Sequence, residues 1–336
     1  GFSMIGILII VESWLNDRAT NKTRGKVLSL YMFFTFFAFT IGNLLLNISS
    51  PNSYEPFILI SLLFSVALVP ILLTKRKPPT FKKTSSIKIK ELLKISPFGS
   101  FSMFCTGFIF AAMFAMLAVY AVTMNLTVFE ISILLVGTTL AGAIFQWPIG
   151  SLSDKYDRRI IIIGCCVMSS IFGILSIMSS GIFFESLNAE EMVRFNYFSS
   201  DGNMNKTNLF IFIILLSGMT LPMFALNLAL VNDYIPKEKF VAAGAGLNII
   251  FGLGAMAGPL ICSVLMSFLG PNGFFIHLLI FLLAITLFGV YRVNKRVYED
   301  NPESTFTPLP REITPLGIEL DPDTGVDLSN TQNDKK

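Results

Sequence analysis

Gly150-Ser151-Leu152-Ser153-Asp154-Lys155-Tyr156-Asp157-Arg158-Arg159 sets five charges and a turn-forming glycine between two long apolar runs. Gly150 permits a tight exit from the helix before it. A carboxylate at Asp154 suits the unsatisfied N–H groups at a neighbouring helix start, and Arg158 and Arg159 can bridge to carboxylates or headgroups. A plain charged turn would explain the charge, but not this order of residues.

Outward from this segment, the chain repeats the same alternation of apolar run and polar connector. Apolar residues make up 53% of the 336 residues and charged ones 14%, too few to clothe a soluble protein of this length. About 20 apolar residues cross the hydrocarbon of a bilayer. Complete spans are expected near 28–48, 55–73, 99–122, 129–149, 159–181, 208–229, 240–267 and 274–292. A shorter run, 1–15, precedes them. It shows no basic region followed by a small-residue cleavage site, so it reads as a span whose outer end is missing rather than as a signal peptide. Of the 25 Lys and Arg residues, 23 fall in connectors 16–27, 74–98, 150–159 and 230–239 or in the tail from Arg292. The alternate connectors hold only Arg194 and Lys206. Basic connectors belong on the cytoplasmic side, which gives nine spans, a first residue near the outside and a cytoplasmic C-terminus.

Asn16-Asp17, followed by Arg24-Gly25-Lys26, is echoed by Asn232-Asp233, followed by Lys237 and Lys239, 216 residues and six spans later. An even number of spans implies parallel repeats. The long, basic connector 74–98 separates the two halves. Its Ile87–Lys94 stretch can form a short surface helix with Ile89, Leu92 and Leu93 on one face.

The segment 150–159 resembles the loop signature of the major facilitator superfamily, G-x-L-[SA]-D-[RK]-x-[DG]-R-[RK]. The match covers Gly150, Leu152, Ser153, Asp154, Lys155, Asp157, Arg158 and Arg159. Glu12-Ser13-Trp14-Leu15-Asn16-Asp17-Arg18 and the tail from Pro308-Leu309-Pro310-Arg311 to Glu319-Leu320-Asp321 are similar to a bacterial subgroup of uncharacterised transporters related to the YcaD proteins. In the superfamily the signature sits between spans 2 and 3 and often again between spans 8 and 9. Placing this copy at the second position makes the chain spans 4–12 of a twelve-span, all-α polytopic membrane protein. Residues 1–73 are then the rest of the N-terminal half, 74–98 the inter-domain loop, 99–292 the C-terminal six-helix half and 293–336 a largely disordered cytoplasmic tail. The resemblance implies that Asp154 reaches the start of span 11 near Lys239-Phe240 and that Arg158 relays its charge to Asp233. Arg159 joins this gate network, and Asp17 with Arg24 forms the surviving part of its counterpart in the first half.

Within the spans, Glu12 is the main ionisable residue. It reads either as a proton-coupling or substrate carboxylate, or as an interfacial group contacting water or Arg24 at the level marked by Trp14. Asn227 and Tyr120 are candidate cavity residues. His277, with no evident partner, reads as a packing or interfacial histidine. Gly254 and Gly258 form a small-xxx-small pair, and Pro259 can bend the same helix. The four cysteines, all in spans, have no metal-ligand spacing and read as packing residues. No phosphate-binding glycine loop or catalytic constellation points to an enzyme, an ATP-driven pump, a cofactor or a nucleic-acid partner. The expected function is secondary transport of a small solute by alternating access, with protons as the candidate coupling ion. The protein is expected as a monomer in the bacterial plasma (inner) membrane. A non-transporting scaffold or a channel is the alternative.

Overall fold

Hydrocarbon offers no water to unpaired N–H and C=O groups, so a spanning chain must satisfy its backbone internally, and a helix does so within one segment. A computed structural model describes residues 6–8, 10–12, 14–15, 23–49, 53–73, 87–181, 205–236, 239–295, 306–309 and 313–318. Among the described residues there is no strand. The helices are α1 (Arg24–Leu45), α2 (Glu55–Leu73), α3 (Ile89–Ile95), α4 (Pro97–Thr123), α5 (Val128–Ser153) and α6 (Arg158–Ser179). They continue with α7 (Lys206–Thr220), α8 (Met223–Asn232), α9 (Phe240–Leu269), α10 (Gly273–Lys295) and the single turn α11 (Pro315–Ile318).

Seven helices among the described residues are long and apolar enough to cross a membrane: Lys26–Leu45, Pro97–Thr123, Val128–Ser153, Arg158–Ser179, Lys206–Asn232, Phe240–Leu269 and Gly273–Lys295. The stretch Glu55–Pro70 of α2 is a shorter apolar helix. Residues 6–8, 10–12, 14 and 15 are also helical. The expected nine thus resolve into seven full-length spans, one shorter apolar helix and this first helical stretch.

Local sequence sets several helix starts. Thr127 and Glu130 form a capping box: the Glu130 N–H donates to the Thr127 hydroxyl (3.3 Å), and the Thr127 N–H donates to the Glu130 carboxylate (2.8 Å). The Asp157 carboxylate caps α6 by accepting from the Arg159 N–H, and the Asn205 side chain caps α7 by accepting from the Asn208 N–H. At Gly270 the backbone takes φ +66°, a left-handed value that favours glycine, and turns α9 into α10. Span Lys206–Asn232 is interrupted at Leu221-Pro222, where Pro222 has no N–H to continue the ladder.

α4 to α10 pack into one bundle around Ile109, Leu117, Leu134, Ile162, Leu216 and Leu282. The closest approach is between α4 and α9. A Cβ at Gly254 would lie 2.2 Å from the Phe104 carbonyl oxygen, one at Gly258 2.8 Å from that of Phe108, and one at Gly107 2.2 Å from that of Phe251. The small-xxx-small pair is therefore a backbone-to-backbone contact, and Gly107 is its counterpart on α4. α1 lies against α5, linked at the end away from the basic connectors by the Asn47 amide donating to the Ser132 hydroxyl (2.9 Å). The apolar side chains of α2, such as Leu62, Phe64 and Leu72, face outward, as suits lipid. In α3 only Leu92 is buried: it fills the space above Gly246 on α9, while Leu93 points away. His277 also has a partner, since its ring nitrogen lies 3.3 Å from the Phe108 carbonyl oxygen.

Gly254→Ala is expected to destabilise the bundle by ~1–3 kcal/mol through overpacking. Gly252→Ala, where a Cβ meets nothing within 4 Å, should be close to neutral. Thermal unfolding of the two variants in detergent checks the contrast.

Candidate functional site

An apolar cavity lies between α1 and the bundle, and a charged cluster lies at the end of the bundle that carries the basic connectors (the basic end). The cavity, of about 180 Å3, is lined by Phe39 and Asn43 of α1, Met113, Phe114 and Leu117 of α4, Leu135, Thr138 and Thr139 of α5, and Leu221. A recess nearer the basic end shares Phe39, Phe114, Thr139 and Leu221 with it and adds Thr35, Phe36, Phe110, Gln146, Phe224 and Leu309. None of these side chains is ionisable. The break at Leu221-Pro222 brings Leu221 to the wall, where Gly142 makes room for it: a Cβ there would lie 2.3 Å from the Leu221 side chain.

At the basic end the turn between α5 and α6 assembles the charges. Arg158 Nη2 pairs with Asp154 Oδ1 at 3.0 Å and Arg158 Nε with Asp233 Oδ2 at 3.3 Å. The Arg158 and Asp233 side chains are 3% and 0% exposed, whereas that of Asp154 is 36% exposed. A guanidinium out of water between two carboxylates exchanges hydration for charge-assisted hydrogen bonds. The structure thus brings together Asp154, Arg158 and Asp233. The remaining described partner of Asp154 is not the start of α9, as expected, but the Phe306 N–H at 2.8 Å. Arg159 turns to its own helix cap, forming a two-point pair with Asp157 (Nε–Oδ1 3.0 Å, Nη2–Oδ2 2.7 Å). Asp17 and the Arg24 side chain lie outside the described residues, so the counterpart network of the first half is not seen.

Glu12 is fully buried, which removes the interfacial-water reading. Its Oε1 accepts from the Tyr31 hydroxyl at 2.8 Å. Its Oε2 accepts from the Thr314 N–H at 2.9 Å, the Gly317 N–H at 3.0 Å and the Thr314 hydroxyl. Tyr120 is not on the cavity: it is fully buried, with Phe274 and Phe275 at ring-centroid distances of 5.5 and 5.0 Å, because its face of α4 turns toward α10. Asn227 is also inside the bundle, its amide donating to the Thr106 hydroxyl at 3.0 Å. The cavity residues that sequence reasoning missed include Thr138, Thr139 and Gln146 of α5. Their signal was available, since Leu135, Thr139, Gly142 and Gln146 follow at helical spacings of three and four. Among the described residues no group of three or more His, Cys, Asp or Glu side chains could hold a metal ion.

A family model described as Major Facilitator Superfamily matches residues 1–189 and again 101–320. The chain belongs to the Major Facilitator Superfamily. It is a multi-pass membrane protein with the apolar helices that such a protein requires. Among superfamily members it is similar to the uncharacterized MFS-type transporter YcaD of Escherichia fergusonii, 22% identical over 272 residues, which cover 80% of this chain and 64% of that protein. An uncharacterized MFS-type transporter of Yersinia enterocolitica is 23% identical over 305 residues, 90% of this chain and 70% of its own length. YcaD of Escherichia coli is 22% identical over 278 residues, 82% and 66% of the two chains. The chain thus spans about two thirds of the length of the curated relatives it matches, and in the first of them 64%. No solved structure matches it.

Within this superfamily member the charged cluster should behave as a buried network rather than as surface decoration. Arg158→Met, which removes the guanidinium paired with the buried Asp233, should cost about 3–5 kcal/mol. Asp154→Asn, at the half-exposed end, should cost ~1 kcal/mol or less. Unfolding in detergent of the two variants reads the ratio.

Proposed function

We propose that the chain forms spans 4–12 of a twelve-span secondary transporter that moves a small neutral solute by alternating access, with its basic end in the cytoplasm of a bacterial cell. The observation that carries this reading is the aromatic cavity between α1 and the bundle, whose described lining carries no charged side chain. Transporter cavities sit at the interface of two halves near the middle of the membrane, and this one is walled by one helix from before connector 74–98 and by several from after it. The uneven split of basic connectors supports the orientation.

The lining supports a reading of the substrate class. Phe36, Phe39, Phe110, Phe114 and Phe224 offer ring faces and edges, while Thr35, Asn43, Thr139 and Gln146 offer a few uncharged hydrogen-bonding groups. Such a wall favours an amphipathic molecule with an aromatic or extended apolar part and penalises an ion, whose desolvation nothing here offsets. The volume of about 180 Å3 is below the ~300–1,000 Å3 of sites that enclose drug-sized ligands, so loading requires the walls to part. The Arg158 cluster ties the turn after α5 to α6 and α8 at the basic end, a charged contact that a gate of a few kcal/mol can use.

Uptake of neutral aromatic solutes into vesicles reconstituted with the whole twelve-span protein, with and without a pH gradient, tests the reading. Asp154→Asn should lower flux while the protein still inserts, and Phe114→Ala should raise the half-saturating solute concentration about tenfold, for ~1.4 kcal/mol of lost contact. Normal flux in Asp154→Asn would exclude the gate, and conductive leak without saturation would favour a channel.

A further inference from the structure

Beyond α10 the chain returns to the bundle, and two short stretches of it are buried. Leu309, Ile313 and Ile318 are 4%, 4% and 1% exposed and share one apolar cluster with Leu28, Leu92, Phe224, Leu228 and Leu247. Leu309 also lines the recess beneath the cavity. An irregular segment can be buried only if its backbone polar groups find partners. The tail begins with fewer donors to satisfy, because Pro308, Pro310 and Pro315 carry no N–H. The protein supplies partners for several of the rest from separate elements. The Phe306 N–H donates to Asp154, the Leu309 carbonyl accepts from the Gln146 amide (3.0 Å), and the Ile313 carbonyl accepts from the Asn248 amide (3.2 Å). The Thr314 and Gly317 N–H groups donate to Glu12.

These anchors stand on both sides of the cavity. Asp154 and Gln146 belong to the end of α5, and Asn248 to α9. Glu12, by contrast, lies in the first helical stretch and is held by Tyr31 of α1. One carboxyl group thus gathers four donors, three of them from the tail. The fit is close at Gly317, where a Cβ would lie 2.6 Å from the Glu12 carboxyl carbon and 2.6 Å from the Ile313 side chain. At the other end, Phe306 rests on Gly150, where a Cβ would lie 2.1 Å from its ring.

We propose that the stretches 306–309 and 313–318 are a built-in plug: they fill the basic-end mouth of the cavity, are latched by Glu12, and must withdraw before the cavity opens on that side. This rests on the reading of the cavity as a solute path. Because the plug ties α5 and α9 to the first helical stretch, it holds the two sides together independently of the Arg158 cluster. Through the Phe306–Asp154 bond it also reports on that cluster.

Closure can be measured without transport. A Thr139→Cys reporter lies in the recess that Leu309 lines, and the four native cysteines are buried. In lipid nanodiscs, a membrane-impermeant maleimide should label the reporter slowly in the full chain. Labelling should be at least tenfold faster in Glu12→Ala, in Gly317→Val and in a chain ending at Thr305, since a latched protein populates its open state at roughly 10% or less. Gly317→Val alters only the tail, so faster labelling there is not bundle misfolding. A synthetic peptide of residues 306–320 should slow labelling of the shortened chain toward the full-chain rate. Equal rates in the full and shortened chains, or no effect of the peptide on a fast-labelling shortened chain, would overturn the plug. Absence of solute flux with these labelling differences intact would overturn only the transport reading.

Discussion

A polar group taken out of water must find its partner inside the protein, and the architecture of the basic end follows from that requirement. Arg158 and Asp233 are both out of water, and each is held by the other at the junction of α6 and α8. Asp154 extends the pair to the turn after α5 and passes its second contact to the Phe306 N–H. Glu12, equally enclosed, is met by donors from α1 and the tail. Four elements distant in the sequence are joined by two small clusters, and the apolar packing around them completes the closure.

The spans were legible because each is a long apolar run whose connector states its side by its basic residues. The Asp154–Arg158 pair was legible too, because the two residues stand four apart in one short connector. Tyr120 and Asn227 were not, because a helix that is apolar all round does not announce which face meets a neighbour and which meets a cavity. Composition placed them inside a span, and only packing against Phe274 and Phe275, or against Thr106, assigns the side. Glu12 stayed ambiguous for a different reason: two of its partners lie 302 and 305 residues away, in a proline-rich stretch whose composition reads as solvated. The burial of that stretch joins its Leu309, Ile313 and Ile318 to an apolar cluster, and its backbone to polar side chains, from elements far away in the sequence.

The helix contacts differ in kind. α4 and α9 meet backbone to backbone at Gly107, Gly254 and Gly258, a contact with little room for sliding. α1 and α5 meet through Asn47 and Ser132 at one end and face each other across the cavity along part of their lengths. A bundle that is tight within and open at its border with α1 suits motion of one body against another better than deformation of either. The aromatic rings that line the border present similar faces through a range of small rotations, which a wall of directional ion pairs would not.

The interruption at Leu221-Pro222 divides one span into two pieces with different attachments. α7 is fastened chiefly to α5 and α6, whereas α8 is fastened to α4 and ends in the Asp233 carboxylate held by Arg158. A continuous helix would carry bending and twist from one end to the other as a stiff rod. A proline that contributes no N–H removes a rung at the midpoint, so the rod becomes two levers with a compliant joint. The side chain at that joint, Leu221, is part of the cavity wall. Displacement at either end of the span is therefore taken up where the solute would sit.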